Sequence, residues 1–141
     1  MIGYLDTSAL VKLLVRDEDG SDLVRELIDA LDIAVTSRIS YPEARAALAA
    51  AARGGRLVAS EHARSKRDLE RAITSLTIVE LEPRVALAAG EAAERFALRA
   101  GDAVHLASAL VLTRGDTLVV TWDRALAAAA SVAGLGVAPS I

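Results

Sequence analysis

Short apolar runs alternate with longer amphipathic segments along this chain of 141 residues. Runs of about four to eight apolar residues are typical of strands buried in a sheet, whereas apolar residues three and four positions apart predict helices. The apolar runs predict four strands and a short fifth, at 2–5, 33–36, 77–81, 117–121 and 136–138. Because helical segments separate these strands, the pattern favours an α/β fold with a central parallel sheet of four to five strands.

The segments between the strands predict helices. They lie at 8–15, 21–31, 37–52, 57–76, 83–98, 103–112 and 124–133. Pro42 must lie near the first turn of its helix, because a proline further inside would remove a hydrogen bond and clash with the preceding turn. Glu43 is therefore expected close to the N-terminus of that helix. Arg114-Gly115-Asp116 is predicted to turn the chain into the fourth strand.

The predicted helix at 8–15 is apolar on nearly every side and is interrupted only by Lys12. A helix that contacts one core needs a single apolar stripe, so this helix carries more apolar surface than one core requires. We therefore expect it, together with the amphipathic helix at 21–31, to form part of an interface with another protein chain.

Composition limits the class of protein. At 141 residues and 53% hydrophobic side chains, the chain suits a single domain over residues 1–141, and the absence of cysteine excludes disulfides and thiolate sites. No apolar run reaches membrane-spanning length and no signal peptide is recognisable, so we expect a cytoplasmic protein without membrane association. The net charge is −3, although residues 53–71 carry six basic and three acidic side chains. This basic segment suits either a solvated helix face or a surface that contacts phosphates.

Four acidic residues are expected at one edge of the predicted sheet. Asp6 and Asp123 directly follow strands, whereas Glu43 and Asp102 lie at or near the starts of helices. In a parallel α/β fold these strand ends and helix starts meet at the same edge, which is where such sheets bind ligands.

Helix capping is the alternative explanation for each acid taken alone. Asp102 and Asp123 are good N-cap residues, and residues 40–43 match the S-x-x-E capping box. Asp6 fits this explanation least, because the threonine and serine that follow it can already cap the next helix.

Acids gathered at one edge would need a cation or protons. Two unit charges about 4 Å apart repel by about 4 kcal/mol at an effective dielectric constant near ~20. Ligation by oxygen alone suits Mg²⁺ or Mn²⁺, whereas zinc sites usually include histidine or cysteine. This chain has two histidines and no cysteine. The residues therefore favour magnesium chemistry, in which the ion typically binds phosphates and orients water for attack.

The segments that carry the four acids resemble the four acidic motifs of PIN-domain proteins, and most closely those of the VapC toxins of bacterial toxin–antitoxin pairs. They are Tyr4-Leu5-Asp6-Thr7-Ser8-Ala9-Leu10, the pattern Ser40-x-x-Glu43-x-x-x-Ala47-Leu48, the segment from Leu98 to Ala107 that contains Gly101-Asp102, and Val120-Thr121-Trp122-Asp123-Arg124-Ala125-Leu126. The resemblance spans essentially the whole chain with the motifs in order. Its departures are Pro42 directly before Glu43 and Gly101 directly before Asp102.

The resemblance implies a Mg²⁺-dependent endoribonuclease with a three-layer α/β/α fold, usually dimeric and silenced by a VapB antitoxin. Carried over to this chain, Asp6, Asp102 and Asp123 would hold the metal directly or through water. Glu43 would complete the metal site or accept a proton from the attacking water. Hydrolysis of RNA would leave a 5′-phosphate and a 3′-hydroxyl.

Further polar side chains lie near the four acids. The resemblance allows the hydroxyls at positions 7, 8 and 121 to orient the metal ligands. His105 lies three residues after Asp102 on the same helical face, and we expect a packed, hydrogen-bonded histidine there rather than a ligand.

Two other classes of function stay open at this point. Asp6 at a strand end with nearby acids also suits an aspartyl-phosphate receiver or phosphatase-like domain. Against it, no second aspartate lies two residues after Asp6, and no lysine follows the later strands to bind a phosphoryl group. The third interpretation is a non-catalytic interaction module whose first helices bind a partner while the acids only cap helices.

Overall fold

The computed structural model describes residues 1–16, 18–112 and 116–140. Arg114 and Gly115 of the predicted turn lie outside these residues. Within the described ranges the chain forms a five-stranded sheet and seven helices. The strands are β1 (Ile2–Leu5), β2 (Ile33–Ser37), β3 (Thr77–Val79), β4 (Thr117–Val120) and β5 (Gly136–Ala138). The helices are α1 (Thr7–Leu14), α2 (Ser21–Asp29), α3 (Ser40–Arg53), α4 (Ala59–Ser75), α5 (Pro83–Phe96), α6 (Ala100–Leu110) and α7 (Arg124–Val132).

The sheet is parallel throughout, with the strand order β3-β2-β1-β4-β5. The central strand β1 pairs with β2 on one side and with β4 on the other, so the chain changes direction across the sheet between β1 and β4. In open parallel sheets this switch point leaves a crevice at the carboxyl ends of the two strands. The predicted parallel sheet is confirmed, and its carboxyl edge between β1 and β4 becomes the first place to look for a site.

Helices cover both faces of the sheet, which gives three layers. On one face, Tyr4 of β1 and Val119 of β4 belong to a core cluster with α5, α6 and α7. On the other face, the next residues along the same strands, Leu5 and Val120, pack with α1 and α2. Neighbouring residues of a strand point to opposite faces, so one apolar run serves both cores. The predicted α/β/α architecture is thereby confirmed.

The starts of two helices differ from the sequence prediction by three residues. The helix predicted from residue 37 begins at Ser40, because Ser37 still belongs to β2 and pairs with Val79 of β3. Pro42 lies in the first turn of α3, as predicted. The helix predicted from residue 103 begins at Ala100 and so includes Gly101 and Asp102 in its first turn. As a result, Glu43 lies in the first turn of α3, and Asp102 lies within the first turn of α6 rather than before it.

Much of the apolar surface of α1 is used inside the chain. Leu10 and Leu14 pack against α3 and α4, while Ala9 packs against the sheet and α2. The helix therefore contacts two core clusters rather than one, which accounts for part of its excess apolar character. Among the described residues, no helix is both long enough and apolar enough to cross a membrane.

Leu10→Ala should lower the free energy of unfolding by about 2–5 kcal/mol, because it opens a cavity in a fully buried part of the core. The matched control is Leu87→Ala on α5, whose side chain is 69% exposed and whose loss should cost little. Urea unfolding of both variants measures the difference. Equal losses of stability would contradict the placement of α1 between the two cores.

Candidate active site

Asp6 lies directly after β1 and is only 3% exposed. It is the N-cap of α1, since its Oδ1 accepts hydrogen bonds from the backbone N–H of Ala9 (3.0 Å) and from Ser8 Oγ (2.7 Å). Its Oδ2 accepts a hydrogen bond from Thr121 Oγ1 at 2.6 Å. The prediction that Thr7 and Ser8 cap this helix is therefore wrong. The carboxylate itself caps α1, and the hydroxyl of Ser8 serves the carboxylate.

Asp123 follows β4 and caps α7, with its Oδ1 accepting a hydrogen bond from the N–H of Leu126 at 2.8 Å. Its own backbone N–H donates to Thr121 Oγ1 at 2.9 Å. The hydroxyl of Thr121 thus lies between the two strand-end acids, donating to Asp6 and accepting from Asp123. A second link is the hydrogen bond that the backbone N–H of Trp122 donates to Ser8 Oγ, which in turn donates to Asp6 Oδ1. These bonds fix the ends of β1 and β4 relative to each other.

Glu43 lies in the first turn of α3 but does not take part in a capping box. The N-cap position belongs to Ile39, and the hydroxyl of Ser40 is bonded to Thr36 instead of to the helix. The carboxylate of Glu43 reaches across to the neighbouring helices. Its Oε1 accepts a hydrogen bond from Thr7 Oγ1 of α1 at 2.6 Å, and the imidazole of α6 lies 2.7 Å away. The capping explanation is therefore wrong for Glu43.

His105 is the histidine that contacts Glu43, through Nε2, and it is only 2% exposed. Its Nδ1 lies 2.6 Å from the hydroxyl of Tyr4 in the middle of β1, and Nε2 also lies 3.1 Å from Thr7 Oγ1. The prediction of a packed, hydrogen-bonded histidine is confirmed. The sequence did not predict that His105 would connect Tyr4 to Glu43 through hydrogen bonds. The spacing of His105 to Asp102 was the one signal in the sequence that placed this ring near the acidic edge.

Among the residues that the structure describes, Asp102 neither caps a helix nor has a side-chain hydrogen-bond partner, whereas each of the other three acids does at least one of these. Arg99 occupies the N-cap position of α6, so the prediction that Asp102 is an N-cap is wrong. Asp102 instead lines a cavity of about 350 Å³ together with Gly101, Glu43 and Asp123. The structure thus brings three of the four predicted acids around one cavity. Asp6 does not line it, but one hydroxyl links Asp6 to Asp123.

The carboxylates influence one another's protonation. Burial raises the pKa of Asp102 above its ordinary value, and the negative charges of Asp123, Asp6 and Glu43 raise it further. Burial also raises the pKa of Asp6, against the opposing effect of its hydrogen bonds. Burial acts in the same direction on Glu43, but its hydrogen bonds from His105 and Thr7 prevail and leave its pKa lowered. The edge therefore holds one well-stabilised carboxylate beside two that are costly to ionise.

A divalent cation fits the donor chemistry of this edge. Glu43, Asp102 and Asp123 offer carboxylate oxygens to the cavity, which suit hard ions such as Mg²⁺, and Arg99 also lines it. Among residues 1–16, 18–112 and 116–140, no three acidic or histidine side chains already lie close enough together to hold a metal ion. Mg²⁺ commonly keeps several waters and uses only one or two carboxylates, so it does not need three direct ligands. Within the part of the chain that the structure describes, no hydrogen bond compensates the charge of Asp102, so a nearby cation would stabilise its ionised form.

A second, larger cavity of about 550 Å³ adjoins the edge between α1 and α3. Its lining is mostly apolar, with Val11 and Trp122 among the contributors. Of its charged side chains, Lys12 is paired at 3.1 Å with Glu18, which also lines the cavity, and Arg56 adds a positive charge. None of the four acids lines this cavity.

Comparison with known proteins adds three findings. Residues 3–132 match the sequence family described as PIN domain. The chain is 49% identical over 137 residues to ribonuclease VapC45 of Mycobacterium tuberculosis, covering 97% of this chain and 94% of that protein, and 35% identical to ribonuclease VapC46 of the same species, covering 97% of each. The crystal structure of FitAcB from Neisseria gonorrhoeae superposes with a TM-score of 0.68 at 22% identity, covering 97% of this chain and 96% of that one.

Asp102→Asn should raise the melting temperature of the metal-free protein at neutral pH. The folded state of the wild type holds the Asp102 proton more tightly than the unfolded chain does, so its stability falls as pH rises through the raised pKa. The amide cannot ionise and escapes this loss. Below the ordinary aspartate pKa of about 3.9 the advantage should vanish.

Thermal unfolding in EDTA, from below the ordinary aspartate pKa to neutral pH, tests whether Asp102→Asn raises or lowers the melting temperature. The control is Asp22→Asn, which removes a fully exposed carboxylate on α2. A variant at Asp102 that is less stable than wild type at neutral pH, or that matches the control, would contradict the proposed electrostatic cost.

Proposed function

Because the chain belongs to the PIN-domain family, and within it to the VapC ribonucleases, we propose that it is a Mg²⁺-dependent endoribonuclease toxin of the cytoplasm. Its proposed active site is the acidic edge formed by Asp6, Glu43, Asp102 and Asp123. The observation that carries this proposal is the cavity that Glu43, Asp102 and Asp123 share at the carboxyl edge of the sheet. The substrate is RNA, and the reaction is hydrolysis of its phosphodiester bonds.

We assign the metal-binding role first to Asp102 and Asp123, whose carboxylates face the cavity. Asp6 does not line the cavity, and it would contribute to the metal site either directly or through a water molecule. A bound Mg²⁺ supplies positive charge that offsets the four carboxylates, orients water and stabilises the leaving oxygen. Mn²⁺ has the same preference for oxygen ligands and is expected to replace it.

Glu43 is suited to accept the proton of the attacking water. Its carboxylate is ionised near neutral pH and so can accept a proton, although its lowered pKa makes it a weaker base than an ordinary glutamate. Thr7 and His105 occupy Oε1, so Oε2 is the oxygen left to receive a proton. As the water oxygen bonds to phosphorus, one water proton passes to Glu43, the bond from phosphorus to the 3′ oxygen breaks, and that oxygen takes up a proton from solvent. Glu43 then releases its proton to solvent. The products are a 5′-phosphate and a 3′-hydroxyl.

We also propose that a VapB-type antitoxin inhibits the enzyme and that the chain forms a homodimer. Kinship with the VapC ribonucleases supports the antitoxin. The mostly apolar cavity between α1 and α3 opens beside the acidic edge, where a bound protein segment would obstruct RNA. For the dimer, the support is the exposed Leu23 on α2, next to the apolar helix α1.

The receiver interpretation has little support at Asp6. Its side chain is almost fully buried and does not line the cavity of the other three acids, so a phosphoryl donor has little room to reach its oxygens. The interaction-module interpretation accounts for Asp6 and Asp123, which do cap helices. It leaves Glu43 and Asp102 unexplained, since neither caps a helix.

Asp102→Asn should reduce RNA cleavage in Mg²⁺ by about 10²-fold or more, the usual scale for losing a group that acts on the transition state. Gel analysis of a mixed RNA substrate, with and without EDTA, measures the loss. Asp22→Asn is the matched control, because it removes a fully exposed carboxylate on α2 and should cleave like wild type. Cleavage by wild type that persists in EDTA would contradict the metal, and full activity of Asp102→Asn would contradict the site.

Mg²⁺ should raise the melting temperature of the wild type, because an ion that binds only the folded state stabilises it by about 2.7 kcal/mol at one hundred times its Kd. Asp6→Asn should shrink this rise. Asparagine is as good an N-cap as aspartate, so the substitution keeps α1 capped while removing the charge. Thermal unfolding over a Mg²⁺ titration measures both. If the metal response of Asp6→Asn equals that of the wild type, Asp6 does not belong to the metal site.

A further inference from the structure

The carboxylate of Glu43, on α3, is held by residues from two other helices. Its Oε1 accepts a hydrogen bond from Thr7 of α1 and lies 2.7 Å from His105 of α6. The side chain is 38% exposed, so without these partners it would be free to turn in solvent. Two partners on one oxygen limit the carboxylate to one orientation and direct Oε2 elsewhere.

The Glu43 carboxylate determines which atoms carry the protons in the hydrogen bonds between Glu43, His105 and Tyr4. The Glu43 carboxylate only accepts, so His105 Nε2 must carry a proton and donate it. When the imidazole is neutral, Nδ1 is an acceptor, and the hydroxyl of Tyr4, 2.6 Å away, donates to it. Tyr4 is fully buried in β1 and His105 is nearly so, which leaves the ring little freedom to flip.

Gly101 leaves the space that Oε2 occupies. A Cβ atom at position 101 would lie 2.8 Å from Glu43 Oε2 and 3.8 Å from its Cδ, and the first distance is closer than real Cβ atoms approach a neighbour. The backbone of Gly101 does not need a glycine, because its φ is not among the positive values found in this chain. Glycine inside a helix is less stable than alanine. The first turn of α6 therefore gives up helix stability at the one position where a side chain would meet Glu43.

We propose that Gly101 and the Tyr4–His105 pair are positioning residues, which together hold Glu43 with Oε1 bound and Oε2 turned into the cavity shared with Asp102. This assignment rests on the proposed function. Gly101 acts by leaving room for the carboxylate, and the buried pair acts by fixing the donor. Neither needs to contact RNA.

Gly101→Ala tests whether the room left for the Glu43 carboxylate matters for activity. The atom that must move is the far end of a flexible side chain, so the fold can accept the new methyl group cheaply. The same movement lengthens the hydrogen bonds of Oε1 and turns Oε2 away from its position. The substitution should therefore separate the geometry of the site from the stability of the fold.

The experiment compares Gly101→Ala with Gly90→Ala. Gly90 lies inside α5, and a Cβ atom there would meet nothing within 4 Å, so this control adds the same methyl group to a helix without a neighbour. Both variants should melt at or above the wild-type temperature. RNA cleavage by Gly101→Ala should show kcat lowered about tenfold or more with KM within about twofold, because small displacements of a reacting group are costly in rate. Gly90→Ala should match wild type in both constants.

A second measurement needs no metal and no turnover. Nitrogen-15 NMR of His105 in EDTA should show the tautomer with its proton on Nε2 in the wild type. Gly101→Ala should shift the Nε2 signal, and Gly90→Ala should not. His105→Gln, which keeps a donor near the position of Nε2, should retain more of kcat than His105→Leu.

The outcomes are distinguishable. An inactive wild type would contradict the proposed function and leave the NMR result to decide the positioning. An active wild type with unchanged kcat in Gly101→Ala, or an equal loss in Gly90→Ala, would overturn the positioning. If Gly101→Ala does not fold, a wild-type His105 with its proton on Nδ1 overturns it as well.

Discussion

Mutual repulsion of carboxylates at one edge of the sheet is the constraint around which the rest of the site is arranged. Asp6 and Glu43 are compensated by neutral donors: hydroxyls reach both, and the amide of Ala9 reaches Asp6. Asp102 has no such compensation, and burial and its neighbours' charges raise its pKa. Hydrogen bonds to a carboxylate stabilise its charged form, whereas burial beside like charges does the reverse. The uneven distribution of donors leaves Asp102 at a cavity lined by two further carboxylates and by Arg99, so negative charge is in excess there.

The topology supplies the positions. β1 and β4 are neighbours at the point where the sheet changes direction, so the residues after them lie side by side. The hydroxyl of Thr121 converts that proximity into fixed geometry by bonding to Asp6 and to the N–H of Asp123. Two of the acids also cap helices, so the same side chains stabilise α1 and α7. Capping and a role in the site are therefore compatible at Asp6 and Asp123.

The sequence pattern was sufficient for the strands and the parallel sheet, because the strands are short apolar runs separated by helical segments. The three layers followed from the resemblance to PIN-domain proteins. The pattern was less reliable at helix starts. The position of α3 depends on pairing of Ser37 with β3, which no local pattern reports. The caps were misassigned at Asp6 because a carboxylate and two hydroxyls competed for one position, and only the folded chain shows that the carboxylate takes it.

The contacts of the site that were missed join residues far apart in the chain. Tyr4 and His105 are separated by 101 positions, and His105 and Glu43 by 62. A histidine on an apolar helix has the same appearance in sequence whether it packs passively or orients a carboxylate. Likewise, a glycine before Asp102 signals a turn, whereas its structural role is to leave space for Glu43. Such roles follow from packing between elements, which becomes visible only in three dimensions.

The most direct test is the location of a bound ion. A crystal grown with Mn²⁺ and measured for anomalous scattering should show an ion at the cavity of Glu43, Asp102 and Asp123, with an oxygen of Asp102 among its ligands. An ordered site with no anomalous peak at saturating Mn²⁺, or an ion bound only at another surface, would contradict the claim that a cation balances these carboxylates.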